Sequence, residues 1–171
     1  MKSFVHYLLL LAGTSLFFGC ATANPKPSLA NADEARAYLE VLRSDLNTGK
    51  IRALNEVLKL TAAEADIFWP IYRSYEHELA AVGDRKLALV GEFMRCQKAG
   101  ALTAENSRDM AAQWLQNSQD RLDLWKKYSQ QISDAVSPIR AAQFLQIENQ
   151  MAIFVDLNIA SAMPVVGSPA K

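Results

Sequence analysis

Between Asp33 and Ser161 the chain contains only two prolines, Pro70 and Pro138, and four glycines. No window there alternates apolar with polar residues or gathers valine and threonine, so strands find no support. Apolar residues recur at spacings of three and four, the period of helices that bury one face. The pattern predicts an all-α domain over residues 33–163, an elongated bundle or hairpin of about four helices. The first covers Asp33 to about Lys59, with Leu39, Leu42, Leu46, Ala53 and Val57 on one face and Gly49 as a candidate break. The second opens at Thr61-Ala62-Ala63-Glu64, a capping box in which hydroxyl and carboxylate each satisfy a backbone N–H. It ends at Lys98-Ala99-Gly100, and its seam is Phe68, Tyr72, Tyr75, Leu79, Val82, Leu89 and Phe93, interrupted at Lys86. Pro70 removes one backbone bond and clashes with the preceding turn, at ~3 kcal/mol in an undistorted helix. A kink at Trp69-Pro70 is therefore expected.

The third helix begins after Thr103 and reaches about Val136, roughly 50 Å at 1.5 Å per residue. Its predicted inward stripe is Ala111, Leu115, Ser118, Leu122, Trp125, Ile132 and Val136. Ser137-Pro138 reads as an N-cap followed by proline at the first helical position. The fourth helix then runs to about Ala162, with Phe144, Ile147, Met151, Phe154 and Val155 inward. Met163-Pro164 stops it, and residues 164–171 are expected to be a flexible tail. Leu60-Thr61-Ala62-Ala63-Glu64 and Leu102-Thr103-Ala104-Glu105-Asn106 open two of these helices alike. That similarity reads equally as a remnant repeat or as two well-capped helices.

Residues 1–23 have the layout of a secretory signal peptide: Lys2, an apolar run from Tyr7 to Phe18, then small residues from Gly19 to Ala23. Phe17-Phe18-Gly19-Cys20 resembles the lipobox of bacterial lipoproteins, with phenylalanine where that box has leucine. The resemblance implies lipidation of Cys20, and Ala21 after it implies the outer membrane. Ala21-Thr22-Ala23 offers the competing reading, ordinary cleavage after Ala23 and a soluble periplasmic product. Residues 24–32, with two prolines and no apolar period, read as a linker.

Lys+Arg and Asp+Glu both total 18, so the formal net charge is zero. Phosphate binding needs a basic excess, which leaves nucleic acid without support. A polybasic membrane-surface patch is equally unsupported, and a membrane is reached only through a lipid on Cys20. At 50% hydrophobic the chain has ample material for a core. A mature chain of about 150 residues buries roughly two-thirds of its unfolded surface, so no disulfide framework or metal is required for stability.

Catalytic chemistry finds little to work with. His77 is flanked by Glu76 and Glu78, but neighbours one position apart on a helix point in different directions and cannot converge on a metal. Cys96 has no base within reach; it reads as a plainly buried or exposed thiol, with an intermolecular disulfide as the sharper alternative. Carboxylates such as Asp123, near Lys126 and Lys127, and Glu92, near Arg95, have the spacing of a solvated helix surface. Phosphate-cradling, dinucleotide and serine-elbow motifs are missing from the sequence. No catalytic residue, metal ligand or cofactor is expected. Phe68, Trp69, Tyr72, Tyr75, Trp114, Trp125 and Phe144 are the candidates for packing or protein binding.

Two passages carry a family resemblance. Leu60-Thr61-Ala62-Ala63-Glu64-Ala65 with Phe68-Trp69-Pro70-Ile71-Tyr72, and Phe144-Leu145-Gln146-Ile147-Glu148-Asn149, resemble a group of exported helical proteins of Gram-negative bacteria with no assigned activity. The paired Leu-Thr openings are also loosely similar to the LTxxQ-motif periplasmic proteins, the Spy and CpxP group, with Glu64 and Asn106 where that motif has glutamine. That second resemblance implies an ATP-independent chaperone or stress-sensing accessory, usually a homodimer, whose partners are unfolded or envelope proteins. The alternative reading is an outer-membrane lipoprotein that serves as a scaffold in an envelope complex.

Overall fold

The computed structural model describes residues 48–166. The signal segment, Cys20, the linker, the first half of the first predicted helix and residues 167–171 lie outside the described residues. Within them the chain is an all-α bundle, with no strand among the described residues. We number its helices α1 (residues 48–58), α2 (Ala62–Lys98), α3 (Ala104–Ala135) and α4 (Pro138–Ala162).

Local chemistry sets the helix ends. Gly49 lies within α1 and does not break it, and Lys59 ends that helix with a positive φ of 43°. At the start of α2, the Thr61 N–H donates to Glu64 Oε2 at 2.8 Å and the Glu64 N–H donates to Thr61 Oγ1 at 3.3 Å. The start of α3 repeats the device: Thr103 N–H donates to Asn106 Oδ1 at 2.8 Å and Asn106 N–H returns to Thr103 Oγ1 at 3.2 Å. Asn106 fills the position that Glu64 fills in α2, so the two similar openings are two working capping boxes. α2 stops in a Schellman turn in which Gly100, at φ +63°, donates to Gln97 O while the Ala101 N–H reaches Cys96 O at 2.9 Å. Ser137 caps α4 through its side chain, with Pro138 in the first turn. α2 continues through Pro70, and the Ser74 hydroxyl donates to the Pro70 carbonyl at 3.2 Å.

Sequential helices run antiparallel, as their short connections demand. Between α2 and α3, Glu78 meets Lys127 and Arg85 meets Asp120, so one number falls as the other rises. The core fills where α1, α2, α3 and α4 meet. Leu54 and Leu58 of α1, Phe68, Tyr72 and Tyr75 of α2, Ile132 of α3, and Phe144 and Ile147 of α4 are all under 3% exposed. Their rings pack at angles: Tyr75 stands on Phe144 at 5.0 Å and 83°, and on Tyr128 at 5.4 Å and 65°. Edge-to-face contacts of this kind favour the positive ring edge against the negative ring face.

Three predicted stripes need correction. In α1 the buried residues are Lys50, Leu54 and Leu58, with Ala53 and Val57 at the flank. In α3 the inward arc runs through Asn117, Arg121, Leu124, Tyr128 and Ile132, while Ala111 and Ser118 are exposed and Leu115 and Leu122 are 70% and 42% exposed. In α4, Phe154 is 51% exposed rather than inward. The reason is common to all three. The buried arcs contain polar residues that bond across the bundle, and these bonds rotate apolar neighbours outward. Asn117 donates to the Val82 carbonyl at 2.9 Å, and Arg121 donates to both oxygens of Asp156.

Candidate functional site

Six charged groups that reach between helices gather in two places. The first is Lys50 in α1, which faces two carboxylates from different helices. Its Nζ lies 2.5 Å from Glu76 Oε1 of α2, and 3.3 Å from Glu148 Oε2 of α4. It is also 3.2 Å from Glu148 Oε1, close enough for an ion pair but without hydrogen-bond alignment. The Tyr75 hydroxyl donates to Glu148 Oε2 at 2.6 Å and in turn accepts from Trp125 Nε1 at 3.0 Å. All four helices therefore contribute to one chain of contacts. Side chains of Lys50 and Glu148 are 8% and 3% exposed, whereas a quarter of Glu76 reaches solvent.

Electrostatics follow from that burial. Loss of water pushes the Glu148 carboxyl above the usual carboxylate range, and Lys50 and the Tyr75 hydroxyl offset only part of the shift. Burial, then the nearby Glu148 charge, drives the Tyr75 phenol far above its ordinary value. Tyr72 is displaced upward for the same two reasons, with Glu76 adding to them. Its hydroxyl is buried near Glu76, yet lacks the geometry of a hydrogen bond.

Lys86 of α2 and Arg121 of α3 converge on Asp156 of α4 to form the second gathering. Burial pushes the Asp156 carboxyl up, but Arg121 and Lys86 outweigh it and leave it low. Lys86 also lies over the Trp114 ring at 5.2 Å, and Arg121 over Trp125 at 5.5 Å. The interruption of the α2 seam at Lys86 is thus a tie between three helices.

Nothing in these clusters is laid open to a substrate. Two open grooves of about 470 and 400 Å³ run along the α2–α3 seam. One is lined by His77, Arg85, Asp120 and Lys127, the other by Leu89, Met110, Gln113 and Asn117, and neither by Lys50, Glu76 or Glu148. Among the described residues no three or more His, Cys, Asp or Glu gather where they could hold a metal ion, and no helix is long and apolar enough to cross a membrane. The Cys96 Sγ donates to Glu92 Oε1 at 3.4 Å. Burial and the Glu92 carboxylate push that thiol up, which keeps it protonated.

The aromatic candidates divide by depth. Phe68, Tyr72, Tyr75 and Phe144 are sealed in the core, and Trp69 packs against it. Trp114 and Trp125 are half-buried beneath cations. None of the first four is available to a partner, so their work is packing.

What the bundle does present is the outer face of α4. Arg140, Glu148 and Asp156 are its only charged residues, and all three turn inward: Arg140 onto Glu64, Glu148 onto Lys50, Asp156 onto Lys86 and Arg121. The opposite side carries Ile139 at 69% exposure, Ile153 at 59%, Phe154 at 51% and Leu157 at 65%. Leu122 follows Arg121 on α3 just as Leu157 follows Asp156 on α4, so the Arg121–Asp156 pair sets two exposed leucines at one level of adjacent helices. No protein-family model, curated protein or solved structure matches the chain.

Proposed function

We propose that this domain is an exported binding protein that holds other polypeptides on an apolar helix surface without ATP. The exposed apolar side chains on α3 and α4 carry the reading, since they coexist with a core that is already filled. Large apolar groups left at a soluble surface mark contact sites for other macromolecules. Around them the ionisable groups of the two interior clusters are engaged in cross-helix ties, which keeps them from facing a substrate. The signal-peptide layout and the similarity of the Leu-Thr helix openings to the Spy and CpxP group agree with work in the periplasm. An outer-membrane anchor at Cys20 is compatible with the same role.

The mature chain, added to a chemically denatured protein diluted into buffer without nucleotide, is expected to lower light scattering at near-stoichiometric amounts. Unchanged scattering at a severalfold excess contradicts the proposal.

A further inference from the structure

The proposed binding role leaves open which surface holds the polypeptide and what kind of segment it takes. We infer that the outward face of the C-terminal half of α4, with Leu115 and Leu122 of α3 beside it, is the docking surface, and that it selects unfolded segments free of charged residues. The inference rests on the proposed function and narrows it.

Charge is the first argument. From Ala141 to Ala162 the outward side of α4 holds Ile153, Phe154, Leu157 and neutral polar residues, because Glu148 and Asp156 face the bundle. The outward faces of α2 and α3, by contrast, carry pairs such as Glu92–Arg95 and Asp123–Lys126. A lysine or glutamate pressed against α4 would lose its water and meet no opposite charge, a loss without compensation. An uncharged segment has nothing to lose.

The second argument distinguishes an unfolded chain from other neutral partners. Gln150 borders this surface and Gln146 lies one turn before it on the same arc, and neither side chain is hydrogen bonded within the protein. Each amide can both donate and accept. A folded helix has already satisfied its backbone, whereas an unfolded segment brings unpaired N–H and C=O groups that need partners. A lipid surface fits less well, since helices that lie on membranes carry lysine and arginine along their polar edge and α4 has only the inward Arg140.

The test uses the mature full chain and a fluorescent synthetic peptide of leucine, alanine, asparagine and glutamine, about three helical turns' worth of residues. Two companion peptides replace two leucines by lysine or by glutamate. Binding is read by fluorescence anisotropy for the unaltered protein and for Ile153→Gln and Leu157→Gln, whose exposed positions leave the core intact, as circular dichroism will verify. The neutral peptide should bind, both charged peptides should bind about tenfold more weakly or worse, and both variants should lose binding. Equal affinity for all three peptides overturns the inference, as does undiminished binding by the variants. So does a dimer of this chain that Leu157→Gln converts to monomer while peptide binding persists, or association with neutral phosphatidylcholine vesicles in place of peptide. If the variants still suppress aggregation of a denatured protein, this face is not the site and the binding role survives. If the unaltered chain suppresses nothing, both fall.

Discussion

Lys50 and Glu148 stand 98 positions apart in the chain and meet inside the bundle, with Nζ 3.2 Å from one carboxylate oxygen and 3.3 Å from the other. The contact ties the first described helix to the last. Its consequence is asymmetric. Removing the lysine strands two carboxylates near one another, whereas neutralising Glu148 leaves Lys50 with Glu76.

Lys50→Met is therefore expected to cost about 3–5 kcal/mol, the range for breaking a buried pair from one side. Glu148→Gln keeps an acceptor for the Tyr75 hydroxyl and is expected to stay within about 1 kcal/mol of the parent, or to gain. Urea unfolding of both variants checks the ordering; a Glu148→Gln loss as large as that of Lys50→Met contradicts it.

The two cross-helix glutamates should leave opposite marks on acid unfolding. The Glu64 carboxyl is held down to about 2 by Arg140 first and then by the Thr61 N–H. Its contribution is present above the unfolded value of about 4.3 and fades as pH falls from there toward 2. The folded value of Glu148 is raised, so its contribution is complete below about 4.3 and is lost as pH rises through that raised value. Melting temperature against pH should thus lose slope below about 4.3 in Glu64→Gln and above it in Glu148→Gln. Exchange of those two regions between the variants would refute the assignment.

At the start of α3, Thr103→Ala removes the acceptor for the Asn106 N–H and is expected to cost about 1 kcal/mol. Asn106→Gln should come within a few tenths of the parent, because glutamine is a natural third partner in a capping box. Thermal melts of the pair decide whether the helix opening needs this chemistry or merely tolerates it.

Phe144 is fully buried and sits edge-on to both Tyr72 and Tyr75. Phe144→Ala is expected to cost about 3–5 kcal/mol, whereas Phe154→Ala, ten residues further along the same helix and half-exposed, should cost well under half as much. Chemical denaturation of the two variants makes the comparison, and equal losses would contradict the assignment of inner and outer faces.

Helix ends were legible in the sequence because they depend on neighbours: Thr61 with Glu64, Ser137 with Pro138, and Gly100 after Lys98 act within one turn. The inward residues of α2 were legible too, since Phe68, Tyr72 and Tyr75 bury apolar bulk at helical spacing. The faces of α1 and α3 were not. Lys50, Asn117 and Arg121 look like surface residues until their partners arrive from other helices, and a reading by hydropathy assigns the inside to Leu115 and Leu122 instead. The Lys50–Glu76–Glu148 cluster was hidden for the same reason, because its members come from three separate helices and nothing local marks them as a set. The outer face of α4 was obscured by Phe154, whose bulk suggests burial although it lies about 120° around the helix from Glu148.

The account stands on the claim that the apolar side of α4 holds polypeptide. A photo-crosslinking residue placed at Leu157, and separately at exposed His77 on α2, reports this directly when the protein is irradiated with a denatured client. Crosslinks from position 157 and few from position 77 are predicted; abundant crosslinks at 77 with none at 157 would contradict the claim.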